Sequence, residues 1–208
     1  MSYKYQICGF NLLSQIKLPI LRKIDFEEPD FEIILKNDIQ IANKTIEILE
    51  GGEVLFNDLH KNIFKISYQK VYISIKDNKY NEAANSVLGV PLGYLLQNND
   101  FQVLHGSAVT KNNLGYSFIG KSGIGKSSIA LSLLNKGFKL LTEDLCVVKD
   151  MHIHNFSNWI KSSENNLVEA LKPIERIHLK KDSRKRSLYK LEKNYINNKK
   201  TKLKSIYF

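Results

Sequence analysis

The sequence contains only two cysteines, Cys8 and Cys146. They are too few and too far apart for a disulfide framework or a thiolate metal site, so both are expected as reduced core residues. No apolar run approaches the ~18 residues needed to span a bilayer. The start, Met1-Ser2-Tyr3-Lys4-Tyr5, lacks the basic-then-apolar layout of a secretory signal. No membrane association is expected, and a cytoplasmic location is the default. There is also no internal repeat, low-complexity tract or long linker, so the chain reads as continuous structure. What is present is ordinary for a soluble globular protein: 208 residues, 43% hydrophobic and 25% charged, enough for one large domain or two small ones.

The net charge of +10 is unevenly placed. Residues 151–208 hold 14 Lys and Arg against 5 Asp and Glu, whereas residues 1–150 hold 17 against 16. The basic character belongs to the tail, where it suits phosphate ligands, acidic partners or solubility, and nucleic-acid binding is not expected.

Residues 1–80 read as a β-rich region. Segments 5–8, 31–35, 44–49, 62–68 and 70–75 are short, β-branched or aromatic, and partly alternating, with Pro19, Pro29, Gly51-Gly52 and Asp77-Asn78 as turns. From Asn81 to Gln97 the spacing is helical, with Ala84, Val87, Leu88, Leu92, Leu95 and Leu96 near one face and Pro91 starting a second helix or kinking the first. Residues 81–208 are expected as the second region. Strands at 101–104, 108–110, 116–119, 138–141 and 145–148 with a helix at 126–135 give an α/β pattern, mixed with α+β features through the β-rich start.

The most specific feature is Gly120-Lys121-Ser122-Gly123-Ile124-Gly125-Lys126-Ser127, a full match to G-x-x-x-x-G-K-[ST], the phosphate-binding P-loop pattern, followed by Ser128. The glycines let successive backbone N–H groups converge on phosphate oxygens. Lys126 would neutralise β/γ-phosphate charge and Ser127 would hold Mg²⁺, which makes ATP with Mg²⁺ the expected ligand. Tyr116 to Ile119 supplies a strand before the loop. Ile129, Ala130, Leu133 and Leu134 give the following helix a buried stripe, and Gly137 a stop. The helix N-terminus adds partial positive charge.

Phosphoryl transfer also needs a metal ligand and a group that orients or deprotonates the acceptor. Glu143-Asp144 places two carboxylates between apolar strands, a costly arrangement unless a metal or partner compensates them. Either is a candidate metal ligand and either a candidate base. His105, at a strand end before Gly106, is the third catalytic candidate, set against a plain structural role.

The residues Leu104 to Val109, the loop Gly120 to Ser128, and Gly137 to Asp144 resemble, in order and spacing, the C-terminal catalytic domain of HPr kinase/phosphorylase. That family phosphorylates a serine of the phosphocarrier HPr and is related in fold to phosphoenolpyruvate carboxykinase. The resemblance implies a P-loop kinase core, with the family's histidine on His105, its phosphate-binding residues on Gly120, Ser122, Gly123, Gly125, Lys126 and Ser127, and its acidic pair on Glu143 and Asp144. The whole chain is similar to HPr-kinase-related proteins of bacterial peptide-maturation and polysaccharide gene neighbourhoods, in the pattern of residues 5–19 and in the basic segment Arg184-Lys185-Arg186. That segment is a candidate for contacting phosphates or an acidic substrate, set against a solvated charged face. Three features depart from the family: Glu143 stands where Asp is usual, the standard enzyme's N-terminal domain is not recognisable, and the chain stops at Phe208 in strand-like sequence where relatives continue, which leaves a C-terminally truncated form as an alternative.

The expected function is an ATP-dependent kinase acting on a Ser or Thr hydroxyl of a protein or peptide, an HPr-like carrier or a precursor peptide, with homo-oligomerisation left open. The alternative is a catalytically impaired, truncated nucleotide-binding regulatory protein. A transport or motor ATPase is disfavoured, because no signature motif for one follows the loop.

Overall fold

The computed structural model describes residues 1–41, 45–163, 171, 173–178 and 185–208. The chain folds as two compact units, Met1–Phe101 and Gln102–Phe208. The first unit therefore includes the helical stretch that begins near residue 80, where the sequence pattern alone starts the second region.

In the first unit β1 (Tyr3–Ile7), β2 (Phe10–Ser14), β3 (Arg22–Lys23), β4 (Phe31–Leu35), β5 (Ile46–Ile48), β6 (Val54–Asn57), β7 (Ile63–Ile66) and β8 (Lys70–Ser74) form one sheet in the order β3-β1-β2-β4-β8-β7-β6-β5. Of the expected strand at 44–49, Lys44 lies outside the described residues. Two helices follow, α1 (Tyr80–Val87) and α2 (Val90–Gln97), with Pro91 in the first turn of the second, where its missing N–H is harmless. The predicted face is buried: Ala84, Val87, Leu88, Leu92, Leu95 and Leu96 are all at or below 7% exposure. Cys8 is buried and in no disulfide, and opens the β1–β2 turn with Gly9, both residues at positive φ as a type I′ hairpin turn requires.

The second unit departs from the alternating β/α pattern. Its strands are β9 (Gln102–Lys111), β10 (Leu114–Ile119), β11 (Lys139–Thr142), β12 (Leu145–Lys149), β13 (His152–His154), β14 (Trp159–Ser162), β15 (Glu175–His178), β16 (Ser187–Lys190) and β17 (Thr201–Tyr207), with α3 (Lys126–Leu134) as the one α-helix among the described residues. Among the described residues every strand pairing of this unit except β10 with β17 is antiparallel, so the fold is α+β and β-rich rather than α/β. The expected strands at 101–104 and 108–110 are one strand running through His105 and Gly106. β9 pairs with β10 along one edge and with β11 and β12 along the other. β12 pairs with β13, β13 with β17, and β17 in parallel with β10, so five strands close into a ring. A smaller sheet, β14-β16-β15, stands apart from the ring.

The two faces of β9 follow from period-two alternation. Ala108 joins Leu141, Cys146, Val148 and Ile153 in one cluster. Val109 joins Leu140 with Ala130, Leu131 and Leu134 of α3, and Ile160 and Tyr189 of the small sheet, in another. Within α3, Leu131 carries part of the buried stripe and Ile129 is 45% exposed. The buried stripe is thus rotated from the expected one, because the sheet and β14 together fix which side of the helix is covered.

Candidate functional site

β10 delivers the chain to Gly120, the loop runs through Gly125, and α3 starts at Lys126. Gly120, Gly123 and Gly125 have φ of +148°, +94° and +105°. A Cβ on Gly125 would meet nothing within 4 Å, so the left-handed backbone, not crowding, calls for glycine there. Lys126 is buried, and its Nζ donates to the carbonyl oxygens of Gly120 and Lys121 at 2.7 and 2.9 Å.

Glu143 and Asp144 interrupt a strand. β11 and β12 lie along the same edge of β9, in register on either side of them: Thr142 faces Ala108 and Leu145 faces His105. At the break Asp144 adopts φ +70°, its carbonyl accepts from Gly106 N at 3.2 Å, and Leu145 N donates to the Glu143 carbonyl at 2.9 Å. Two charged side chains thereby sit amid apolar strands. Ser127 Oγ, on the first turn of α3, donates to Glu143 Oε1 at 2.7 Å. His105 Nδ1 is 3.0 Å from the Asp144 carbonyl oxygen and 3.6 Å from Asp144 Oδ1. Lys161, from β14, pairs with Asp144 Oδ2.

The two carboxylates differ in environment. Burial, reinforced by the charge of Asp144, pushes the Glu143 carboxyl up to about 7, against the pull of Lys161, the Ser127 hydroxyl and Arg186. Burial acts the same way on Asp144, but Lys161, with His105 and Arg186, outweighs it and holds that carboxyl below the usual range. Asp144 keeps 46% of its side-chain surface exposed while Glu143 is enclosed. The Lys161 ammonium loses solvation by burial, yet the two carboxylates raise its pKa overall.

These groups line one cleft of about 210 Å³. The loop side supplies Ser122, Gly123 and Gly125, with Lys126, Ser127 and Ser128 of α3. The sheet side supplies His105, Ser107, Glu143 and Asp144, and the small sheet adds Lys161, Ser162, Ser163 and Arg186. Gly120 and Lys121 contribute carbonyls to Lys126 rather than walls, and Ile124 is 65% exposed. Lys185 is exposed and off the cleft, and Arg184 lies outside the described residues. Ser107 is buried, with an Oγ that has no hydrogen-bond partner among the described residues.

Sequence reasoning missed Lys161, Ser107, Ser162 and Ser163. A lone lysine after Trp159-Ile160 carries no spacing signal, since its partner lies 17 residues away on another sheet. Among the described residues no three His, Cys, Asp or Glu side chains cluster as a metal site. A cation here would rest on the carboxylate pair, the Ser127 hydroxyl and oxygens of a ligand, a set of hard donors that suits Mg²⁺.

No protein-family model matches the sequence. Among curated proteins the chain is similar to the HPr kinase/phosphorylase of Chlorobium phaeovibrioides, 38% identical over 74 residues, which are 36% of this chain and 21% of that relative. It is likewise similar to the Chlorobaculum tepidum protein of the same name, 35% identical over 74 residues, 36% of this chain and 21% of that one. With the Chloroherpeton thalassium protein it shares 44% identity over 48 residues, 23% of this chain and 14% of that relative. The chain spans about a fifth of the length of the curated relatives it matches. Through about a third of its own length, the chain is related to the HPr kinase/phosphorylase family.

Proposed function

We propose that this chain is a phosphotransferase with a P-loop core of the HPr kinase/phosphoenolpyruvate carboxykinase type, which moves the γ-phosphoryl group of ATP to a Ser or Thr hydroxyl on a protein or peptide. The observation that carries the reading is the 2.7 Å bond from Ser127 Oγ to Glu143 Oε1. It joins the glycine loop and its helix to the carboxylate pair in a single cleft, the juxtaposition phosphoryl transfer requires.

The donor set fits a metal–nucleotide. The backbone N–H groups of the loop and the start of α3 would receive phosphate oxygens, and Lys126 would turn from its carbonyl partners to them. Ser127 of α3 and Glu143 of the strand break, joined by their hydrogen bond, would hold Mg²⁺, whose contribution when bound is to neutralise charge on the phosphates. Asp144, ionised and half exposed, faces the open side, where it would orient the acceptor hydroxyl and take its proton late, with His105 steadying its backbone and carboxylate. Arg186 would add a rigid fork of donors for phosphoryl oxygens. Because the relatives are named for HPr, an HPr-like carrier is the first acceptor to try, and a precursor peptide the second.

Labelled ATP incubated with the purified chain and these acceptors tests the proposal. Transfer that disappears in Lys126→Ala supports it. Mg-ATP binding without transfer to any acceptor favours the nucleotide-binding regulatory reading, and no binding at all removes the loop from the mechanism.

A further inference from the structure

The proposed reaction gives Lys161 no task. This residue stands on β14 in the small sheet and reaches Asp144, at the break between β11 and β12, with its ammonium in direct contact with Oδ2. Its side chain is only 21% exposed. A lysine so far withdrawn from water needs negative charge beside it. Asp144 supplies it by contact and Glu143 by proximity. The other basic side chains take different positions. Lys126 is satisfied by the loop carbonyls, His105 lies 3.6 Å from Asp144 Oδ1, and Arg186 sits just before β16, the strand that pairs with β14.

A divalent cation drawn to the carboxylates would find this ammonium already against them. The two cannot share the pair without facing each other in a poorly solvated space, where like charges are weakly screened. Either the metal stays out or Lys161 leaves, and a departing ammonium needs another anion.

Resting on the nucleotide reading above, we infer that Lys161 is the resident counter-ion of the Glu143–Asp144 pair and makes metal binding depend on nucleotide. Free divalent cation is held off by the ammonium. A metal–nucleotide is admitted because its phosphate oxygens give the displaced ammonium a new partner in the same cleft. The cleft thereby selects metal–nucleotide over metal alone, and by linkage the coupling acts equally in both directions.

The test is Mn²⁺ binding to the full chain, read from the electron paramagnetic resonance signal of the free ion, with binding of the preformed Mn–ADP complex measured in parallel. Lys161→Met is expected to bind Mn²⁺ alone about ten-fold more tightly than wild type, a coupling of typical size. Its affinity for Mn–ADP should not rise, and Lys161→Arg should behave as wild type. Equal or weaker binding of Mn²⁺ alone in Lys161→Met overturns the inference. Failure of wild type to bind Mn–ADP removes the nucleotide reading, and with it the claimed dependence on nucleotide, while the comparison on Mn²⁺ alone still judges the counter-ion. Lys161→Gln serves as a second neutral variant. If neither folds by circular dichroism, acetylation of Lys161 in wild type, followed by mass spectrometry, decides: Mn²⁺ alone should leave its rate unchanged while Mn–ADP changes it several-fold, and a change with Mn²⁺ alone as large as that with Mn–ADP overturns the inference.

Discussion

Ser127 Oγ donates to Glu143 Oε1 at 2.7 Å, across 16 residues of sequence, and Glu143 is otherwise enclosed. The helix that follows the glycine loop is therefore tied by its first turn to a carboxylate standing in a strand break. The state of that carboxylate affects both the fold and the cleft.

Stability should fall as pH rises through the range that Glu143 spans. Its folded pKa, about 7, lies above the ordinary 4.5, so between those values the folded state holds more protons than the unfolded one. Linkage then makes unfolding easier with increasing pH, by on the order of 3 kcal/mol in total. Urea unfolding of wild type and Glu143→Gln at pH 5.5 and 7.5 checks this. The difference in stability between them should shift towards the glutamine variant at the higher pH, and a constant difference refutes it.

Lys126→Ala should lower Mg-ATP affinity by about ten- to a hundred-fold, since hydrogen bonds to charged groups contribute about 1.5–3 kcal/mol. The same substitution frees the carbonyls of Gly120 and Lys121. Calorimetric titration measures the affinity, and equal binding in the two proteins takes the lysine out of the site.

Asp144→Asn should reduce single-turnover transfer by about 10²–10⁴-fold, the range a well-placed base supplies, while ATP affinity stays within a few-fold. Glu143→Gln should weaken Mg²⁺-dependent binding more than it does. His105→Ala should have the smallest effect on the rate, since His105 meets Asp144 largely through the backbone carbonyl. Wild-type transfer in both carboxylate variants excludes the mechanism.

Gly106→Ala should destabilise the second unit by about 1–3 kcal/mol, as overpacking does. A Cβ there would lie 2.4 Å from Ile119 Cδ1 and 2.6 Å from the Phe118 carbonyl oxygen. The side chain can move and the carbonyl cannot without disturbing β10. Denaturant unfolding provides the measurement, and a neutral result would mean that β9 and β10 separate more readily than their pairing suggests.

The loop's place between a strand and a helix was legible in the sequence, because glycine at 120, 123 and 125 and the apolar segment before it are local requirements. The same holds for the α1 and α2 face and for Pro91, where helical period and proline stereochemistry act over a single turn. After residue 150 the strand-like end of the chain was legible and lies in β17, whereas β13 to β16 were not, because they are three or four residues long and gain their stability from partners far along the chain.

By itself the sequence determined which residues carry charge and where the backbone must turn: Lys126 and Ser127 at a helix start, and Glu143 and Asp144 between apolar strands. Only the tertiary structure decided what these groups face. β9 runs unbroken through His105, because β10 on one edge and β11 and β12 on the other hold it extended. Lys161 reaches Asp144 because β14 belongs to a separate sheet packed on the outer face of β9 and α3. Local propensities act between neighbours in the chain, whereas the charge balance of a buried cleft depends on side chains that folding alone brings within a few ångströms.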